Sequence, residues 1–389
     1  MWFERYILPA RHGLGERGWK SNINGEWVSG PETASDEELA RTLRDWRQDV
    51  RTHRLANARF WRERLPDFGK IETPLLSAAN WGGQGLHLRG NVEGFLQAKS
   101  PRKWLNFHCF EHWTEYYTQS GVALQKKFLG HFLKDEDNGW AAEPRVQMLV
   151  RRPGTPFHPR PETEWPLSGT RWTRFHLHAD GSLLQEQPPV QAAVMEYRAL
   201  GSGVTFITPP LAHDLHVIGP ASARLRISSS TADADLFLVL RLFTPDLSEV
   251  TYSGSNDPHT PMSHGWLRAS LRKLDPQRSL PYRPYHTMDE VQPLRPGAEY
   301  ELEIEIWPTC FVAPAGYRIA LSIRGRDYEY PGDLSGMRAA IGQPFTGVGP
   351  FRHTSPEDRP AALFDNRVTL HIDPREPPFL LLPVAPPAP

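Results

Sequence analysis

The apolar positions of this chain change their period near residue 145. Upstream, "SDEELARTLRDWRQDVRTHRL" sets Leu39, Leu43, Trp46 and Val50 at helical spacing behind Ser35, a suitable N-cap, with acids in the first turn where the helix dipole favours them. The pattern predicts one amphipathic helix. The first thirty residues show only glycine-rich turns between isolated aromatics, so this segment does not read as a domain that folds by itself. "TPLLSAAN", ending at Asn80, is a continuous apolar run of the kind expected of a parallel strand covered on both faces, and "WGGQGLHLRGNVEGFLQA" then predicts a glycine turn and a helix. "KWLNFH" predicts a second buried strand. In "GVALQKKFLGHFLK", Leu124, Phe128 and Phe132 recur at steps of four with Leu129 and Leu133 beside them, while Gln125, Lys126 and Lys127 are left for solvent. The βαβα order predicts a parallel sheet, and two strands are not a complete one, because its faces and edges need covering.

Downstream, proline and glycine clusters separate short runs of β-formers: "RVQMLVRR", "RWTRFHLHADG", "ARLRISSS", "ADLFLVLRLFTPD", "YELEIEIWP", "YRIALSIRG" and "NRVTLHID". Tyr300 to Ile306 alternates strictly, one face wet and one dry. Many short strands with regular turn signals predict an antiparallel β-sandwich of jelly-roll type. The tail "PREPPFLLLPVAPPAP" predicts an extended segment docked through Phe379 to Leu382.

Composition narrows the function classes. The 389 residues suffice for two or three domains at roughly 100–200 residues each. Lys plus Arg (44) nearly cancels Asp plus Glu (45), so the electrostatic footprint of a nucleic-acid partner is missing. The first twenty residues carry charges and a proline where a signal peptide needs an apolar stretch, and no run approaches the ~18 apolar residues of a membrane span. The expectation is a soluble, cytoplasmic protein. Cys109 and Cys310, the only cysteines, are too few for a disulfide framework or a cysteine-rich zinc site and read as buried thiols.

The chemistry-bearing stretch is "NFHCFEHWTEYYT", residues 106–118, where a predicted strand breaks into a loop carrying His108 and His112 ahead of a helix. No G-x-S-x-G nucleophile elbow occurs in the chain, and Ser202, Ser253 and Ser255 lie downstream in the β-rich region with neighbours that mark them as turn serines. His213, Asp214 and His216 read as a solvated turn without a third metal ligand, and "GSGVTF" lacks the lysine and helix of a phosphate cradle. Neither a metal nor a cofactor is expected. "HPRPETEWP" and "SLPYRPYH" are proline-ordered aromatic loops whose ordinary use is packing.

Several stretches together resemble the later part of the cocaine-esterase and X-Pro dipeptidyl-peptidase (CocE/NonD) family of serine hydrolases. They are "SAANWGGQGLHLRGNVEGF", "HCFEHWTEYYTQSGVALQKKFLGHFLK", "TRWTRFHLHADGSL" and, above all, the paired signatures Gly265 to Ser270 ("GWLRAS") and Glu305 to Thr309 ("EIWPT"). The resemblance implies an α+β multidomain chain. Residues 1–65 would be the end of a helical cap, and 66–144 the C-terminal part of an α/β-hydrolase domain with an incomplete parallel sheet. Residues 145–389 would be an antiparallel jelly-roll β-sandwich.

The resemblance also carries a catalytic histidine onto His112, as the general base that takes a proton from a serine hydroxyl. His108 continues the strand and reads as a core histidine. Where relatives place an aspartate, in a turn beginning Gly-Trp, this chain has Asn80-Trp81-Gly82-Gly83-Gln84, with no carboxylate. Glu93 and Glu111 could orient the imidazole, but surface or helix-dipole roles suit both better, and no acid is assigned. Two readings remain open. One is the C-terminal portion of an acyl hydrolase acting on esters, amides or X-Pro peptides, inactive alone because its serine lies outside these residues. The other is a non-catalytic jelly-roll binding or assembly module. Neither involves nucleic acid or membrane.

Overall fold

The computed structural model describes residues 7–21, 24–111, 113–334, 345–349 and 352–388. They fall into two compact units, Met1–Leu65 and Pro66–Pro389. In the first, the expected single helix is two: α1 (Asp36–Thr42) and α2 (Trp46–Thr52), followed by the short α3 (Arg59–Arg62). Ser35 and Glu38 form a capping box at the start of α1, but Leu43 turns extended and the Asp45 side chain accepts the Arg47 N–H, starting a new helix. A second cap inside the periodic run thus ends the first helix. Leu39 is buried, whereas Trp46 and Val50 are exposed.

The second unit holds a four-stranded mixed sheet and a twelve-stranded antiparallel one. The small sheet contains β1 (Leu75–Asn80), β2 (Lys103–His108), β3 (Val146–Val150) and β4 (His158–Glu162), in that spatial order. β1 to β3 are parallel and β4 returns antiparallel. β3 therefore belongs beside β2, and the small sheet runs past residue 144; its alternating burial does not by itself tell a parallel neighbour from an antiparallel one. α4 (Leu88–Gln97) joins β1 to β2, and α5 (Thr114–Tyr117) and α6 (Gln119–Lys134) lead from β2 towards β3. α6 lays Phe128 and Phe132 against Trp104 of β2, with ring centroids 6.2 and 5.6 Å apart, and leaves Leu129 and Leu133 exposed.

The large sheet comprises β5 (Arg171–Leu177), β6 (Leu183–Gln185), β7 (Ala193–Arg198), β8 (Val204–Ile207), β9 (Leu215–Ser229) and β10 (Asp235–Phe243). It continues with β11 (Glu249–Val250), β12 (Ser263–Arg268), β13 (Tyr300–Ala313), β14 (Arg318–Arg324), β15 (Arg367–Ile372) and β16 (Phe379–Val384), while α7 (Ala361–Phe364) precedes β15. Its main path runs β6-β5-β16-β9-β13-β12-β10-β14-β8. The ends of this path approach each other, since Ile207 N–H donates to Gly181 O at 2.9 Å, and the sheet becomes a near-barrel. Leu302, Ile304 and Ile306 enter the main core as the alternation predicts, while Glu301, Glu303 and Glu305 take the opposite face, which is not uniformly wet: Glu301 is exposed but Glu305 is covered by Arg89. Each buried aliphatic there contributes about 1.5–3 kcal/mol.

A second core joins the two sheets. Ala79, Trp81, Leu105, Phe107 and Met148 of the small sheet pack with Trp165, Ile218, Cys310 and Val312. Trp81 stacks on Phe107 at 4.0 Å. Arg151, only 1% exposed, fastens the junction: its guanidinium donates to Cys310 O (2.9 Å), Thr309 Oγ1 (2.9 Å) and Met262 O (3.3 Å) and lies over the Tyr252 ring. Among the described residues no helix is long and apolar enough to cross a membrane.

Candidate functional site

The site is built where the parallel strands end. Asn80, the last residue of β1, is the register partner of His108, the last of β2, and Trp81 N–H donates to His108 O at 3.0 Å. Both strands therefore release their loops at the C-terminal edge of the sheet, where open α/β folds place their chemistry. One loop, 81–87, runs into α4. The other, 109–113, carries the candidate base, but His112 itself lies outside the described residues.

The residues flanking 112 are firmly held. The Cys109 thiol, raised well above its ordinary pKa by burial, donates to Leu149 O (3.5 Å). Phe110 O accepts from Asn80 Nδ2 at 3.3 Å. Glu111 accepts from Thr114 Oγ1 (2.9 Å) across the first turn of α5, the local role its position suggested. Beyond the loop, Trp113, Tyr116 and Tyr117 are exposed. His108 is 6% exposed and faces a cleft of about 720 Å³ shared with Phe110, Glu115, Lys127 and Arg160. Burial raises the Glu115 pKa, and its Oε2 is buried without a partner among the described residues. Nothing in the spacing of the sequence singles out Glu115, and the Asn80 contacts with Phe110 and Ser255 come from distant segments.

The turn that departs from the aspartate pattern is locked against the large sheet. A Cβ on Gly82 would stand 2.3 Å from Gly254 Cα and 2.5 Å from Ser253 O, so only glycine lets the two backbones meet. Ser255 N–H donates to Gly82 O (2.9 Å), and Ser255 Oγ lies 3.4 Å from Asn80 Nδ2. Gln84 donates to Pro308 O and accepts from Ser263 Oγ, both at 3.3 Å. Ser255 is thus a buried turn residue. Glu93 is not a surface group: it is 7% exposed and paired with Arg283 at 2.8 Å and Gln97 at 2.6 Å. Both candidate carboxylates, Glu93 and Glu111, are engaged elsewhere.

The remaining motifs hold the scaffold. Gly265 and Ile306 pair directly, bringing the two signature stretches together, and Trp266 meets Trp307 edge-on at 5.6 Å. Arg268 is pinned by Asp235 (2.8 Å) and Asp358 (3.0 Å). Asp214 pairs with Arg152 (2.6 Å) and accepts from Ala315 N–H, the latter being the first cause of its lowered pKa; among the described residues no cluster of three metal-ligating side chains forms.

Residues 138–337 match the family model of the X-Pro dipeptidyl-peptidase C-terminal non-catalytic domain. The chain is 26% identical over 250 residues to a putative serine esterase of Mycobacterium bovis, a match covering 55% of this chain and 37% of that protein. A crystal structure of a CocE/NonD family hydrolase from Staphylococcus aureus superposes with a TM-score of 0.77 at 26% identity, over 88% of this chain and 59% of that one. An alpha-amino acid ester hydrolase shares the fold, with a TM-score of 0.62 at 15% identity, over 90% of this chain and 62% of that one. The chain therefore spans just over a third of the mycobacterial relative and about three-fifths of the staphylococcal hydrolase.

Proposed function

Because this chain belongs to the family of X-Pro dipeptidyl-peptidase C-terminal non-catalytic domains, we propose that it is the C-terminal portion of a serine acyl hydrolase. Residues 1–65 would end a helical cap, the small sheet would complete an α/β-hydrolase sheet, and the large sheet would be its jelly roll. His112 is the general base in this reading. The observation that supports it is the level alignment of Asn80 and His108 at the C-terminal edge of parallel strands, which hands the 109–113 loop to the side where a nucleophile on a neighbouring strand would stand.

The base would take the serine proton as its oxygen attacks an acyl carbon and return it to the leaving group. Substrates in this reading are acyl esters, amides or peptides. The chain contains no G-x-S-x-G, and a lone imidazole without nucleophile or oxyanion hole has nothing to activate, so the chain by itself is proposed to be inactive. Incubation with a p-nitrophenyl ester and a fluorophosphonate probe tests this: only background hydrolysis and no labelled serine are expected, and active-site labelling would refute it.

The second reading, a binding or assembly module, is favoured by one observation: the matched family model is described as non-catalytic and lies mostly on the large sheet. Recovery of turnover on addition of a nucleophile-bearing segment separates the two, since a pure binding module would gain none.

A further inference from the structure

α6 covers one face of the small sheet only in part. Alternate residues of a strand share a face, so Trp104, Asn106 and His108 of β2 lie on one side together with Gln147 and Leu149 of β3, Gln147 being the register partner of Asn106. Phe128 and Phe132 close the Trp104 end. Nearer the start of the helix, the stripe Ser120, Ala123, Leu124 and Lys127 stands off from the sheet and leaves the cleft of about 720 Å³. The ionisable side chains lining it are His108, Glu115, Lys127, Glu143 and Arg160. Lys127 is paired with Glu143, whose other oxygen accepts from Gln147 Nε2 at 2.7 Å, and Arg160 is paired with Glu162 at 2.7 Å. Among the described residues Glu115 has no such cation: its Oε1 accepts from the Ser120 hydroxyl at 3.3 Å, and its Oε2 is buried without a partner. Nor does it cap the helix that follows, because Thr118 Oγ1 already accepts the Gly121 N–H at 3.0 Å.

We propose that this cleft is a binding site for a small organic cation, an ammonium group on an apolar body, with the Glu115 carboxylate as its counter-ion. The inference does not rest on the acyl-hydrolase reading. Charge selects the sign of the ligand. At pH 8, above the ordinary range in which imidazoles titrate, the Lys127–Glu143 and Arg160–Glu162 pairs leave the lining one negative charge, that of Glu115. A desolvated carboxylate is costly until a cation meets it. Burial raises the Glu115 pKa, the hydroxyls of Ser120 and Thr118 only partly opposing, and the carboxylate in turn adds to the raised pKa of the buried Cys109 thiol. An ammonium donating to the carboxylate favours its ionised form, so binding expels a proton wherever Glu115 starts out protonated. An anion would add to the repulsion, and a neutral ligand would leave the charge as it stands. The apolar body is selected by the rest of the lining, where Phe110, Leu124, Met148, Leu149, Pro159 and Pro161 offer hydrocarbon surface around a few polar groups.

The test titrates the full chain calorimetrically with 2-phenylethylammonium, with the neutral 2-phenylethanol, and with Nα-acetyl-lysine methylamide. Two variants interrogate the cleft. Glu115→Gln removes the charge and keeps the shape. Ala123→Leu fills the cleft from an exposed position of α6, and leucine is close to alanine as a helix former, so the chain keeps its fold. At pH 8 the wild type is expected to bind an ammonium probe about tenfold more tightly than the alcohol, Glu115→Gln to lose that preference, and Ala123→Leu to weaken both ligands by about tenfold. Ammonium affinity should be lower at pH 5, where the probe is still charged, and the difference should vanish in Glu115→Gln. The melting temperature of Glu115→Gln at pH 8 should equal or exceed that of the wild type, because an uncompensated charge has gone. Tighter binding of 2-phenylethylammonium makes the ligand a free amine, and tighter binding of the lysine derivative makes it a protein side chain; both carry the proposed chemistry. No binding up to about 10 mM, equal affinity for ammonium and alcohol, a preference or pH dependence that survives Glu115→Gln, binding indifferent to Ala123→Leu, or a lower melting temperature of Glu115→Gln would each overturn the proposal.

Discussion

Arg89 of α4 and Glu305 of β13 are 216 residues apart in sequence and share a two-pronged ion pair, with the arginine Nε 2.9 Å from both carboxylate oxygens. The glutamate belongs to the "EIWPT" signature, so that stretch does more than build a strand: it fastens the helix behind the candidate site to the large sheet. The carboxylate is mostly buried, and burial is the first cause of its raised pKa, opposed by Arg89. Removing the arginine strands a desolvated charge. Arg89→Ala is expected to destabilise the chain by about 2–4 kcal/mol in urea unfolding, and Glu305→Gln added to it to recover part of that loss, because the charge left behind has gone.

Acid should weaken the fold through histidines. His264 of β12, stacked on Trp266, and His286 are both held down to about 4 by burial. Between their unfolded pKa near 6.5 and this lower folded value the unfolded chain binds more protons, so stability falls as pH drops through that window. The loss is on the order of 2–3 kcal/mol per histidine by pH 4. Urea midpoints at pH 7 and pH 4.5 should differ accordingly, and His264→Gln should flatten the slope; a slope unchanged by the substitution would assign the acid sensitivity to other groups.

Gly82 is where the small sheet's turn touches the 253–255 turn backbone to backbone. A methyl group there cannot be accommodated by a side-chain rotation, so Gly82→Ala is expected to cost about 3 kcal/mol, at the upper end of overpacking. Gly83→Asp, which would place a carboxylate where the family resemblance implies one, brings a Cβ to 2.5 Å from Asn80 Oδ1 and 3.0 Å from Asn80 O, and is expected to lower the melting temperature as well. Differential scanning calorimetry of the two variants checks both.

Limited proteolysis should cut first near residue 65. The core that joins Trp81 and Phe107 to Ile218, Cys310 and Val312 makes 66–389 one compact unit, so cleavage near 145 is resisted although the strand pattern changes there. An early fragment beginning at about 145 would show the shared core to be weak.

If His112 is the base proposed above, His112→Ala in a mixture reconstituted with a nucleophile-bearing segment is expected to lower kcat by about 10³-fold or more, because a serine there would lose its proton acceptor. His108→Ala should act mainly on stability, because that side chain is 6% exposed at the end of β2. Near-full activity of His112→Ala would show the loop to be structural.

Local chemistry decided much of this protein before any tertiary contact. The period-two alternation of Tyr300 to Ile306 is a property of adjacent residues, and so is the continuous apolar character of "PLLSAAN" and "KWLNFH"; the strands they predict form as β13, β1 and β2, although Glu305 on the polar face is mostly buried and Ala78 in β1 is exposed. The capping preference of Ser35 is local too, and it starts α1 as read. What the sequence could not carry is the identity of partners. β3 has the apolar run of any strand, and only the fold sets it parallel to β2. Leu129 and Leu133 share a helix with Phe128 and Phe132, yet the stripe that Trp104 and Trp140 cover leaves them outside. Glu93 reads as a solvent-facing helix residue until Arg283, 190 positions later, folds onto it. The same holds for the Asn80 and Gly82 contacts with 253–255, and for the open edge of β1: a strand's apolarity is written in its own residues, but which of its edges is paired depends on segments the strand does not contain.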